Sequence, residues 1–116
     1  MRLTELARAT ASTTTLSGSL SDDGKAVVLT IRGEADRCTL PVVVDLLERV
    51  VAEHHGPVIV DLGPTAFVDT ATVAALDRTA QLLLDEGRSF TLRSPSEMAQ
   101  RIVAVLGFSR LMPPDP

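Results

Sequence analysis

The segment Val58-Ile59-Val60-Asp61-Leu62 is an almost unbroken apolar run that starts directly after a Gly56-Pro57 stop. A short run of this kind, bounded by breakers, is the signature of a strand buried on both faces, usually between helices. The flanking sequence supplies those helices. From about Leu40 to about Glu53, Val43, Leu46, Leu47, Val50 and Val51 recur at helical spacing, with Thr39 as an N-cap and Pro41 in the first turn. A second helix is predicted to start near Asp69-Thr70, with the stripe Val73, Leu76, Ala80, Leu83 and Leu84 and with Gly87 at its C-terminal end. A third opens at Ser94-Pro95-Ser96, carries Ala99, Ile102, Val103 and Leu106, and closes at Gly107.

Three further strands complete the pattern. Leu16 to Leu20 alternates apolar and polar positions, Asp22-Asp23-Gly24 reads as a turn, and Ala26 to Arg32 reads as the returning strand of a hairpin. Gly33-Glu34-Ala35-Asp36 ends it. Ser89-Phe90-Thr91-Leu92-Arg93 is the last strand, and Gly63 to Val68 reads as a connector. The order β-β-α-β-α-β-α predicts an α/β fold: a small mixed β-sheet of about four strands with helices packed mainly on one face. Residues 1–15, rich in Thr and Ala, read as an N-terminal arm in which Leu3 to Ala7 could form a helical turn. Residues 16–112 form the domain, and Pro113 to Pro116 an irregular tail.

Composition removes several function classes. Lys plus Arg is 11 against 15 for Asp plus Glu, so the net charge is −4, which disfavours binding held by nucleic-acid phosphates. Aromatics are 3% and all of them Phe, which leaves no base-stacking platform. The single cysteine, Cys38, has no partner for an internal disulfide. No apolar run reaches the roughly 18 residues that cross a bilayer, and the start Met1-Arg2-Leu3-Thr4-Glu5 lacks a signal core, so a cytoplasmic setting is expected. Phosphate loops, dinucleotide fingerprints and nucleophile elbows are missing, and no polar cluster suggests acid–base or nucleophilic chemistry, so no enzyme and no catalytic residue is expected. His54 and His55 are adjacent on a helix end and diverge by about 100°, so no metal site is expected. Asp61 ends a strand as a phospho-accepting receiver aspartate would, but the only lysine in the chain is Lys25, in the hairpin turn.

What remains are two acidic turns. Gly33-Glu34-Ala35-Asp36 and Val68-Asp69-Thr70-Ala71-Thr72 each end a strand-like segment and lead towards a helix. If the two segments run parallel, both turns lie at one end of the sheet, with Asp36 near Thr70. N-capping alone accounts for acids and hydroxyls at such positions. A hydroxyl at a helix start also sits in positive potential that tolerates a phosphate.

At these residues the sequence resembles the STAS family, the anti-sigma factor antagonists and their relatives, over roughly residues 16 to 112. Gly33-Glu34-Ala35-Asp36 is similar to the family's Gly-Glu-Leu-Asp turn. Val60-Asp61-Leu62 with Phe67-Val68-Asp69-Thr70-Ala71-Thr72 is similar to its strand and Phe-hydrophobe-Asp-Ser-Ser-Gly segment, and Ser94-Pro95-Ser96 through Leu106-Gly107-Phe108 to its last helix. Ala71 stands where the family has its second Ser, and Thr72 where it has Gly.

The resemblance implies an antagonist that, unphosphorylated, binds an anti-sigma factor with serine/threonine kinase activity and so releases a sigma factor. The kinase, using its own ATP, switches the antagonist off by phosphorylating the residue matched by Thr70; a phosphatase is a further implied partner. The chain itself would need no cofactor. The implied partner-binding residues are Gly33, Glu34, Asp36, Asp69, Thr70, Thr72 and Val73. Asp77 adds to an acidic surface that calls for a basic partner. The alternative is a STAS adaptor or scaffold that binds proteins without being phosphorylated.

Overall fold

The computed structural model describes residues 2–11, 14–22 and 24–112, with side chains from Leu16 onward. The chain runs through β1 (Arg2–Ala11), β2 (Thr14–Asp22), β3 (Val27–Ala35), α1 (Leu40–Glu53), β4 (Val58–Asp61), β5 (Thr65–Val68), α2 (Thr70–Asp85), β6 (Phe90–Arg93) and α3 (Glu97–Leu106), then a 3-10 turn at Ser109–Leu111. One sheet orders the strands β1-β2-β3-β4-β6, and β5 also pairs with β3. The β1–β2 and β2–β3 pairs are antiparallel; β3–β4, β3–β5 and β4–β6 are parallel. The sheet is therefore mixed, as expected, but has six strands among the described residues where about four were predicted.

Alternation along each strand sets the layers. Val27, Leu29 and Ile31 of β3, Val58 and Val60 of β4, and Phe90 and Leu92 of β6 are buried on one face. They share a single core with Val43, Leu46, Leu47 and Val50 of α1, Val73, Leu76, Ala80 and Leu83 of α2, and Ala99 and Val103 of α3. On the other face Val28, Thr30, Ile59, Asp61 and Thr91 are only half-buried and Arg93 is exposed. All three helices thus lie on one side. The expectation that Val58–Leu62 is covered on both faces is wrong: among the described residues no helix crosses behind β4.

Two elements correct the sequence reading. Residues 2–11, expected as an arm with a helical turn at Leu3–Ala7, form β1, paired with β2 from Arg2↔Asp22 to Ala11↔Thr14. Antiparallel pairing with β2 on both sides of a register shift between Glu5 and Ala7 decides this, aided by Thr, which suits strands. Residues 65–68, expected as part of a connector, form β5. The predicted tail at 113–116 lies outside the described residues.

The Gly56-Pro57 stop is reinforced from a distance. The Arg88 guanidinium donates to the carbonyls of Val51, His54 and Gly56, which gathers the carbonyl end of α1 onto the loop before β6. His54 also lies 3.4 Å from an Asp22 carboxylate oxygen, while His55 is exposed.

Candidate functional site

β3 outruns β4. Its residues Val27 to Thr30 pair with β4, whereas Gly33 to Ala35 pair with β5, in the register Gly33↔Thr65, Glu34↔Phe67 and Ala35↔Val68. A register shift falls between Gly33 and Glu34, and Gly33 has φ +104, a left-handed conformation that disfavours any residue with a Cβ. Because β3 and β5 are parallel and each feeds a helix, the starts of α1 and α2 emerge side by side at the same end of the sheet.

The Ala35 carbonyl joins the two turns. It accepts from the Asp69 backbone N–H at 3.0 Å and from the Thr72 hydroxyl at 3.3 Å. The Asp69 carboxylate in turn caps α2 by accepting from the Thr72 N–H at 2.8 Å, and the Asp69 carbonyl accepts from the Val73 N–H. The N–H groups of Thr70 and Ala71 have no partner among the described residues, so the open, positive end of α2 faces outward there. On the neighbouring turn, the Asp36 carboxylate accepts from the N–H groups of Cys38 and Thr39 at 2.9 and 3.2 Å. Thr39 occupies the N-cap position of α1, but its hydroxyl makes no cap bond to the helix; it donates to the Glu34 carbonyl at 2.9 Å.

The structure brings Gly33, Glu34, Asp36, Asp69 and Thr70 to one surface, the first four half-buried and Thr70 exposed. Two of the expected contact residues are not on it. Val73 is fully buried in the core, and Thr72 is 1% exposed with its hydroxyl on Ala35. They hold the turn from beneath. Asp77 is also withdrawn from the acidic surface: it is buried, and Arg110 Nε lies 3.0 Å from its Oδ1, close enough for ion pairing though not aligned as a hydrogen bond.

One surface residue was missed. Phe67, opposite Glu34 in the β3–β5 register, is 48% exposed. The available signal was that it belongs to no helical stripe and no predicted strand, which leaves a large apolar side chain without a core to enter. The surface as a whole therefore offers one hydroxyl, three carboxylates and one aromatic ring.

A family profile described as "Mlab, STAS domain" matches residues 19–113. Among solved structures, an anti-sigma factor antagonist from Mycobacterium paratuberculosis superposes with a TM-score of 0.71 at 22% identity, over 84% of this chain and 83% of that one. The anti-sigma factor antagonist SpoIIAA in its unphosphorylated form gives 0.70 at 16% identity, over 85% and 88% of the two chains. The protein TM1081 gives 0.67 at 14% identity, over 80% and 75%. No curated protein sequence matches the chain.

Proposed function

The chain belongs to the STAS domain family, and from that premise we propose that it is a cytoplasmic anti-sigma factor antagonist switched off by phosphorylation of Thr70. The observation that carries the reading is the setting of Thr70. It is the exposed hydroxyl at the start of α2, flanked by the Asp69 cap and the Glu34–Asp36 turn, on a backbone pinned at the Ala35 carbonyl. Two of the structural neighbours are anti-sigma factor antagonists by name, which supports the same role.

The unphosphorylated surface presents Glu34, Asp36, Asp69 and Phe67 to a partner whose complementary surface is basic around an apolar pocket. The partner is an anti-sigma factor that is itself a kinase. Its bound ATP is the only nucleotide required, and no residue of this chain is catalytic. The Thr70 oxygen attacks the γ-phosphorus, the bond to the β–γ bridging oxygen breaks, ADP leaves, and the hydroxyl proton passes to a base on the kinase. The phosphate adds about −1.5 to −2 charges. Within the chain it is stabilised by the open Thr70 and Ala71 N–H groups. In the complex it faces the remaining nucleotide phosphates at short range, and the antagonist dissociates. A phosphatase would reset it.

The test uses the purified partner kinase. Thr70→Ala is expected to bind it and accept no phosphate, while Thr70→Glu binds at least tenfold more weakly. Equal affinity of Thr70→Glu and the parent protein contradicts the switch. The second reading, an adaptor that is never phosphorylated, draws on the description of the matching profile, which names a STAS domain and no antagonist. It requires parent protein to stay free of phosphate when kinase and ATP are supplied.

A further inference from the structure

One edge of the sheet is long and has no neighbour. β1 ends the strand order, and no described strand pairs with its outer side. It runs for ten residues, whereas β6 at the opposite edge and β5 beside β3 have four each. A free edge presents a row of backbone N–H and C=O groups that can template a further strand. Charged residues and bulges commonly prevent this, and β1 has both: Arg2, Glu5 and Arg8, and the register shift between Glu5 and Ala7. Their positions decide what the edge can accept.

The register with β2 assigns each position of β1 to a face of the sheet. On β2, Leu16, Gly18 and Leu20 lie on the helical side: Leu16 is in the core, Leu20 packs against it, and a Cβ on Gly18 would meet Leu46. Thr4 stands opposite Leu20, but Ala7 and Ala9 stand opposite Gly18 and Leu16. The helical side therefore takes the even-numbered positions before the shift, Arg2 and Thr4, and the odd-numbered ones after it, Ala7, Ala9 and Ala11. Leu3, Glu5, Arg8 and Thr10 occupy positions on the uncovered side.

We propose that this edge is occupied by β1 of a second copy of the chain, in a two-fold symmetric dimer with the register Arg2↔Ala11, Leu3↔Thr10, Thr4↔Ala9 and Glu5↔Arg8. Residues opposed in an antiparallel pair share a face, and every one of these pairs does. The register uses all ten residues of β1, and it places the shift of both strands at the two-fold axis. A slip by one residue sets Glu5 opposite Ala7 or Ala9, which belong to the other face. Glu5 opposite Arg8 occurs twice by symmetry, so the charges that would repel a neutral strand become two complementary cross-strand pairs. Without the shift, Glu5 and Arg8 would fall on opposite faces and could not be opposed. Pairing in this way joins the two sheets into one, with both helical layers on the same side. The Thr70 surface contains no residue of β1, so the dimer and the proposed switch are independent.

The experiment is sedimentation velocity of the full chain over a series from low micromolar to submillimolar concentration. The parent protein is expected to dimerise. Glu5→Arg alone and Arg8→Glu alone, each of which opposes like charges at both pairs, are expected to self-associate about tenfold more weakly. The double variant Glu5→Arg with Arg8→Glu restores both pairs with the charges exchanged and is expected to dimerise like the parent. That recovery separates lost pairing from a β1 that fails to fold. A parent that stays monomeric throughout would leave the edge to a strand of another protein and overturn the proposal. Single variants that dimerise like the parent would move the interface to another face, such as the groove between α1 and α2, and a double variant as weak as the single ones would contradict the register; either result overturns it too.

Discussion

Thr72 shows how one side chain can belong to a motif without meeting a partner. Its N–H satisfies the Asp69 cap and its hydroxyl reaches the Ala35 carbonyl, so it fastens the first turn of α2 to the end of β3. Thr72→Val keeps the shape and removes the hydroxyl. Ala35 retains the Asp69 N–H, so the expected loss is about 0.5–1.5 kcal/mol by denaturant titration, with faster amide exchange confined to the start of α2. Loss of global stability beyond about 3 kcal/mol would show that the hydroxyl does more than fasten this turn. The burial of Thr72 leaves Thr70 as the exposed hydroxyl of the motif. Phe67 has the opposite character, with no core to fill. Phe67→Ala is expected to leave stability within about 0.5 kcal/mol and to weaken partner binding at least tenfold, as anchors at interface centres do. Unchanged binding would place the interface elsewhere.

At the scale of elements, the three helices were legible because each carries a stripe deep enough to show 3.6-residue periodicity over ten residues or more. The expected bounds of α1 coincide with those observed, and Ser96 and Gly107 cap α3 as their residue types suggest. Leu83, from the α2 stripe, is fully buried, so Leu83→Ala is expected to destabilise the fold by about 2–5 kcal/mol. A loss under about 1 kcal/mol would mean that α2 does not pack as described. β1 and β5 were not legible, for different reasons. β1 owes its form to pairing with β2; its alternation Ala7-Arg8-Ala9-Thr10-Ala11 puts only alanines at the apolar positions, too small to mark a strand by themselves. β5 is four residues long and exists because β3 continues past β4 and needs a partner for Gly33 to Ala35. The same long-range cause hid Arg88, whose partners lie more than thirty positions upstream. Arg88→Met should cost about 1.5–3 kcal/mol, in line with hydrogen bonds from a charged donor. A near-neutral result would assign the end of α1 to Gly56-Pro57 alone.

For the whole molecule, the parallel β3–β5 pair explains why residues 33–36 and 69–70, more than thirty positions apart, form one surface. The sequence showed both turns and their proximity if the strands were parallel; it did not show that Thr72, Val73 and Asp77 face inward, because a helix start offers too few residues to fix which side is buried. The helices shield one face of the sheet, and α1 and α2 begin beside the Thr70 surface. The Arg110–Asp77 pair ties the segment after α3 back to α2, a brace that under the proposed switch would let a phosphate on Thr70 act on binding without unfolding the domain. The most direct measurement of the proposed switch is mass mapping of phosphate after the purified chain is incubated with a candidate anti-sigma factor kinase and ATP. The expected result is one phosphate, on Thr70, with the complex dissociating as it forms; a chain that stays bound and unmodified, or that carries its phosphate on any other residue, would contradict the assignment of Thr70 as the switch.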